Sequence, residues 1–231
     1  MLHTRLSGLA AVAVLGLLMG CSDDDKTGPN GTAQVRVVHA SPDAPAVDVL
    51  VDNSVVLNGV TYKQASDYLD VPSGTRNFKV QAAGGGAVVI NVDAALTRGN
   101  AYTVIATGLL ASIEPLVLAD DLTPPAAGNV KVRLVHGAPN VANVDIYVTA
   151  PGADLATATP TLTAVPFQAA SDYLEVPAGS YQVRVTPTGT KTVALDTGTL
   201  TLTSGQIRTA IATEAAGGGA PLSALLLADL N

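Results

Sequence analysis

The sequence predicts an all-β protein made of two tandem antiparallel β-sandwich domains, immunoglobulin-like or prealbumin-like in type. Three observations carry this expectation. The phrase VVHASPDAPAVDVLVD (Val37–Asp52) returns in altered words as LVHGAPNVANVDIYVT (Leu134–Thr149). Both copies consist of short β-branched runs divided by turn residues, the pattern of a sandwich. No amphipathic helical period interrupts them.

The N-terminus stands apart from this pattern. Arg5 supplies a positive start, and Leu9–Met19 (LAAVAVLGLLM) is a short apolar run. The run falls below the roughly 20 apolar residues that a spanning helix needs. A charged start, an apolar middle and a small-residue cut are the anatomy of a secretory signal. Leu18-Met19-Gly20-Cys21 resembles the lipobox of bacterial lipoproteins. That resemblance implies a signal peptide over residues 1–20 and a lipidated Cys21 carrying a diacylglycerol and an amide-linked acyl chain such as palmitate. Stable anchoring takes more than one chain, which this modification supplies. Cys21 is the only cysteine of the 231 residues. Residues 21–32 form an acidic, Gly- and Pro-bearing tether that is too polar to bury a core. Ser22 after the cysteine favours the outer membrane, and Asp23-Asp24-Asp25 resembles the surface-export signal of Bacteroidetes lipoproteins. The expected location is therefore the cell envelope, on the periplasmic or the outer surface, with the membrane as one partner and an envelope or extracellular protein as another.

The repeat sets the domains. His39 to His136 and Asp48 to Asp145 are both 97 positions apart, whereas YKQASDYLDVPSG (Tyr62–Gly74) and FQAASDYLEVPAG (Phe167–Gly179) are 105 apart. The extra residues of the second copy belong in Ala150–Pro160. A repeat of about 100 residues is domain-sized, well above the roughly 20–50 of a solenoid unit. This gives repeat 1 over 33–122, a linker over 123–128 and repeat 2 over 129–231. Each repeat is large enough to enclose its own core. In the first copy the expected strands are Gln34–Ala40, Ala46–Asp52, Ser66–Val71, Thr75–Ala82, Ala87–Asp93, Ala101–Thr107 and Pro115–Ala119. Val47, Val49 and Val51 share one face, as do Val144, Ile146 and Val148, the period-two signature of a half-buried strand. Val71-Pro72-Ser73-Gly74 and Val176-Pro177-Ala178-Gly179 carry Pro and Gly where a tight turn needs them. The tail Pro221–Leu230 is strand-sized.

The phrases VRVVHASPDAPAVDV and ASDYLDVPSGT, in tandem behind a lipoprotein signal, resemble the bacterial domain of unknown function 4397 family. The resemblance covers nearly the whole mature chain. It implies an exported, often repeated β-domain, and it implies no activity and no functional residues.

Charge and composition exclude several classes. The net charge is −7, and removal of residues 1–20, with Arg5 and no acid, makes the mature chain one unit more negative. Nucleic-acid binding needs a basic patch, so it is excluded. With six Tyr, two Phe and no Trp, flat aromatic platforms for sugars are disfavoured.

The pairs His39/Asp48 and His136/Asp145 persist in both copies, while Ser41 becomes Ala138 and Asp43 becomes Asn140. A zinc site takes about three or four protein ligands, and each copy offers one histidine and no free thiol. The expected role is structural: a hydrogen bond pins the Pro-bearing loop, and the Asp holds one imidazole tautomer. The alternative is a metal-dependent binder or weak enzyme using these pairs. Asp120 and Asp121 lack the alternating spacing that wraps calcium. The repeated Asp67-Tyr68 and Asp172-Tyr173 are either half-buried tyrosines at a strand edge or a recognition patch. No catalytic motif, metal site or cofactor is expected. The functional expectation is a non-enzymatic, lipid-anchored envelope protein acting as spacer, scaffold or protein-binding surface.

Overall fold

The computed structural model describes residues 31–230. Cys21, the signal peptide and most of the tether lie outside the described residues. The strands of the first module are β1 (Thr32–His39), β2 (Val47–Val51), β3 (Ser54–Val60), β4 (Leu69–Pro72), β5 (Gly74–Ala82), β6 (Val88–Leu96), β7 (Ala101–Thr107) and β8 (Glu114–Asp120). Those of the second are β9 (Asn129–His136), β10 (Val144–Thr149), β11 (Leu162–Val165), β12 (Leu174–Pro177), β13 (Gly179–Pro187), β14 (Leu195–Leu202), β15 (Ile207–Thr213) and β16 (Ser223–Leu230). The first module has sheets β4-β1-β7-β8 and β3-β2-β5-β6, and the second has β12-β9-β15-β16 and β11-β10-β13-β14. The all-β sandwich class of the sequence reading is what the structure shows.

Two features refine it. The pairs β1/β7 and β9/β15 are parallel, and all other strand pairings are antiparallel. In each module the first strand lies between a short early strand and the penultimate one, so chain direction at that position is set by topology and not by a hairpin. Strand β3 is also additional to the expected set. Asp52 and Asn53 take positive φ of 49° and 68°, the two-residue turn whose twist suits a hairpin, and the chain returns at once as β3. In the second module residues 150–161 replace that turn, where the sequence placed its extra residues.

The core explains the packing. Val47, Val49 and Val51 point inward to meet Val35, Val37, Phe78 and Val80. Val144 and Ile146 meet Leu134, Val183 and Val185 in the second module. A third cluster joins Val38, Ala40 and Ile105 of the first module to Val135, Ile211 and Leu227 of the second. The sheets containing β1 and β9 are therefore covered on both faces, and the molecule is a stack of four sheets.

Candidate functional site

The histidines end strands β1 and β9 and are buried. The Ser41 amide donates to His39 Nδ1 at 3.3 Å, so the proton sits on Nε2, which donates to the Pro45 carbonyl at 3.0 Å. His136 repeats this, with the Ala138 amide at 3.4 Å and the Ala142 carbonyl at 3.2 Å. Tyr62 and Phe167 stand edge-on to the two rings at 6.2 Å. Burial is the main cause that lowers both imidazole pKa values below 6.5, against the smaller opposing effect of the carbonyl bonds. Each imidazole pins the loop that follows its strand, with both ring nitrogens engaged by backbone. Ser41 Oγ is buried and has no partner among the described residues, so it forms no dyad with His39.

The aspartates do something else, and here the expectation of an Asp-held tautomer is corrected. Asp48 lies between the inward-facing Val47 and Val49, so strand alternation sends its carboxylate to the opposite face of its sheet from the core. It accepts from the Gly59 amide at 2.8 Å and the Gly84 amide at 2.9 Å. Asp145 accepts from the Ala164 and Gly189 amides at 2.8 and 2.9 Å. Backbone donors, Gly59 first for Asp48 and Ala164 first for Asp145, hold both carboxyls below the usual 3.8. Each Asp ties an edge strand, β3 or β11, to the loop that follows β5 or β13. A backbone carbonyl takes its place at the histidine.

The repeated Ser-Asp-Tyr phrase leads to the junction between modules. Ser66 Oγ and Ser171 Oγ accept from the Val37 and Leu134 amides and bind the carbonyls of Asp67 and Asp172. Tyr68 donates to Asp120 Oδ2 at 2.7 Å, as does Thr103 Oγ1. The other oxygen of Asp120 binds Arg133 of the second module at 2.5 Å. In mirror fashion, Asp229 accepts from Tyr173 at 2.8 Å and Thr209 at 2.6 Å, and its free oxygen binds Arg36 of the first module at 2.6 Å. Arg36 and Arg133 lie over the rings of Tyr68 and Tyr173 at 4.8 and 4.7 Å. They also donate to the carbonyls of Ala228 and Ala119 across the junction at 3.1 Å. The side chains of both ion pairs are at most 4 % exposed. Burial first, then the charge of Asp120 or Asp229, pushes both phenols well above their usual value, so they remain neutral donors.

Sequence reading missed Arg36, Arg133, Thr103, Thr209 and Asp229, and weighed Asp120 only for calcium. The available signal was internal: an Arg recurs at the 97-residue offset inside an otherwise apolar run, and LVLADD at Leu116–Asp121 is echoed by LLLADL at Leu225–Leu230. Of the predicted patch, Tyr68 and Tyr173 are absorbed into the junction, while Asp67 and Asp172 are exposed. They border two clefts of about 240 and 500 Å³ on the two sides of the junction. Among the described residues no group of three or more His, Cys, Asp or Glu is placed to hold a metal ion, and no helix is long and apolar enough to cross a membrane.

A family model described as a domain of unknown function (DUF4397) matches residues 33–147 and 148–231. The seam between the two matched segments falls inside β10. No curated protein shows a significant match. Among solved structures, the chain is similar to a family 26 carbohydrate-binding module from Eubacterium rectale Amy13K in complex with maltoheptaose. The identity is 12%, coverage is 87% of this chain and 98% of that one, and the TM-score is 0.26. It is also similar to a family 41 carbohydrate-binding module from streptococcal virulence factors, at 13% identity, 83% and 96% coverage and a TM-score of 0.29.

Proposed function

Because the chain belongs to this family of unknown function, DUF4397, we propose a role from its own geometry: a non-enzymatic spacer or scaffold of the cell envelope, anchored through lipidated Cys21 and held stiff at its middle by the junction between the modules. The single observation that carries this reading is the reciprocal pairing of Arg36 with Asp229 and Arg133 with Asp120. Two modules on a loose linker would flex as beads. Here each module supplies the cation for a buried carboxylate of the other, and an apolar cluster lies beside the pairs. The linker is tied as well, since Lys131 binds Asp121 at 2.6 Å and the Ala126 amide donates to Glu175 at 2.9 Å. The repeated histidines and their aspartates are occupied by backbone, which favours a structural over a catalytic use. Exposed Asp67 and Asp172 offer equivalent docking points to an envelope protein on either side of the junction.

The test has two arms. The native chain is expected in the detergent phase and the Cys21→Ala chain in the aqueous phase. Solution scattering of the Cys21→Ala chain is expected to match one rigid shape, and Asp120→Ala with Asp229→Ala to broaden it. Membrane retention of Cys21→Ala after a high-salt wash overturns the anchor, and a flexible ensemble for the Cys21→Ala chain overturns the rigid spacer.

A further inference from the structure

The two modules differ in the space between their sheets, and that difference points to a ligand. Strand pairing fixes the equivalences: Phe78 corresponds to Val183, Tyr102 to Arg208 and Val104 to Ala210. In the first module Phe78 and Tyr102 fill the sandwich with two rings. In the second, those rings are absent and a cavity of about 160 Å³ opens there, with an almost wholly apolar lining that includes Leu134, Val183, Leu202 and Ala210. Val132 and Val176 are half-buried on its wall, whereas their counterparts Val35 and Val71 are buried. The void is thus open to solvent. Arg208 stands among its lining residues, half-exposed, and among the described residues its guanidinium makes a long 3.5 Å contact with the Leu230 carbonyl.

We propose that the second module binds one unbranched alkyl chain with an anionic head, such as a medium-chain carboxylate, and that the first module does not. An apolar cavity of about 150 Å³ has room for a body of about six carbons, and the open mouth here lets a chain enter from solvent. Besides Arg208, the polar side chains of the lining are Thr161 and Tyr181, whose hydroxyls already bind the Val148 amide and the Pro177 carbonyl, so most hydrogen-bonding groups of a sugar or peptide would go unmet there. The Arg208 guanidinium at the site suits a carboxylate, whose two oxygens match its fork. A free fatty acid and the acyl end of an anionic lipid present the same chemistry.

The experiment is calorimetric titration of the Cys21→Ala chain, both modules present, with octanoate, with octanol and with a short-chain phosphatidate. One octanoate per chain is expected. Val183→Phe and, separately, Ala210→Val restore first-module residues and are expected to abolish or sharply weaken binding while raising the melting temperature. Arg208→Gln should weaken octanoate about tenfold, the loss of one charged hydrogen bond, and leave octanol unchanged. Phosphatidate binding at the same stoichiometry assigns a lipid source, and octanoate binding alone assigns a free acid. No binding of octanoate, two sites per chain, or binding that survives both filling variants overturns the proposal. Equal loss of octanol and octanoate in Arg208→Gln overturns the anionic head.

Discussion

At the residue scale, His39 and His136 are neutral loop pins with a pH consequence. Their folded pKa values lie below the unfolded value of 6.5 because burial disfavours the imidazolium. The unfolded chain therefore takes up more protons as pH falls. The stability they contribute is fully present above 6.5 and is lost as pH drops through the folded values. The melting temperature is expected to fall on going below pH 6.5, and a His39→Gln, His136→Gln double variant should show a flatter profile in that window. Each single change should itself cost about 0.5–1.5 kcal/mol, one net hydrogen bond. Loss from Asp48 and Asp145 follows at lower pH, below their unfolded 3.8, because their carboxyls are depressed. The clamps allow a second check. Asp145 holds Ala164 at φ 50°, where the first copy has Gly59 at φ 62°. The left-handed region costs a non-glycine residue about 1–2 kcal/mol, and glycine returns about 0.4–1 kcal/mol of that as unfolded-state entropy. Ala164→Gly should therefore stabilise by roughly 0.5 kcal/mol by denaturant melting, and Gly59→Ala should destabilise.

At the element scale, the copies share strands and diverge in the connections. After β7 the chain turns at Gly108, with φ 95°, into a single 3-10 turn over Leu110–Ser112. After β15 the equivalent position is Glu214, which accepts from the Asn140 amide at 2.6 Å and organises a longer loop. A Cβ at Gly108 would stand 2.6 Å from the Ser112 carbonyl oxygen. Backbone strain and the clash together should make Gly108→Ala cost about 2–4 kcal/mol, read as a lowered urea midpoint. The same scale explains the missed strand. In β3, Val55 and Val56 are exposed at the sheet edge, so no inward–outward alternation marks it, and only the Asp52-Asn53 turn announces it.

At the scale of the molecule, two buried ion pairs join the modules. Removing one member of a buried ion pair leaves its partner charged and dry, at a cost of about 3–5 kcal/mol. Asp229→Ala strands Arg36 in this way and also deprives Tyr173 and Thr209 of their acceptor. It should lower the stability of both modules, since the two lie on opposite sides of the bond. The intact chain is expected to unfold in one calorimetric transition. A 129–231 fragment retains its own sandwich core but exposes Val135, Ile211 and Leu227, so it should melt well below the intact chain. Two separate transitions in the intact protein, one matching the fragment, would show that the junction carries no cooperativity.

Local chemistry wrote much of this protein into its sequence. The repeat, the turns at Pro72–Gly74 and Pro177–Gly179, the inward valines of β2 and β10 and the site of the inserted loop follow from short-range rules of alternation and turn geometry. The partners of the polar side chains do not, because they depend on which faces meet. Strand parity directs Asp48 away from the histidine that sequence proximity suggested. Strands β1, β7, β9 and β15 are covered on both faces, so their apolar runs are nearly continuous, and a continuous run does not say which side holds the core and which holds the other module. Arg36 and Asp229 are 193 positions apart, and only the stacking of one sheet upon the other brings them together.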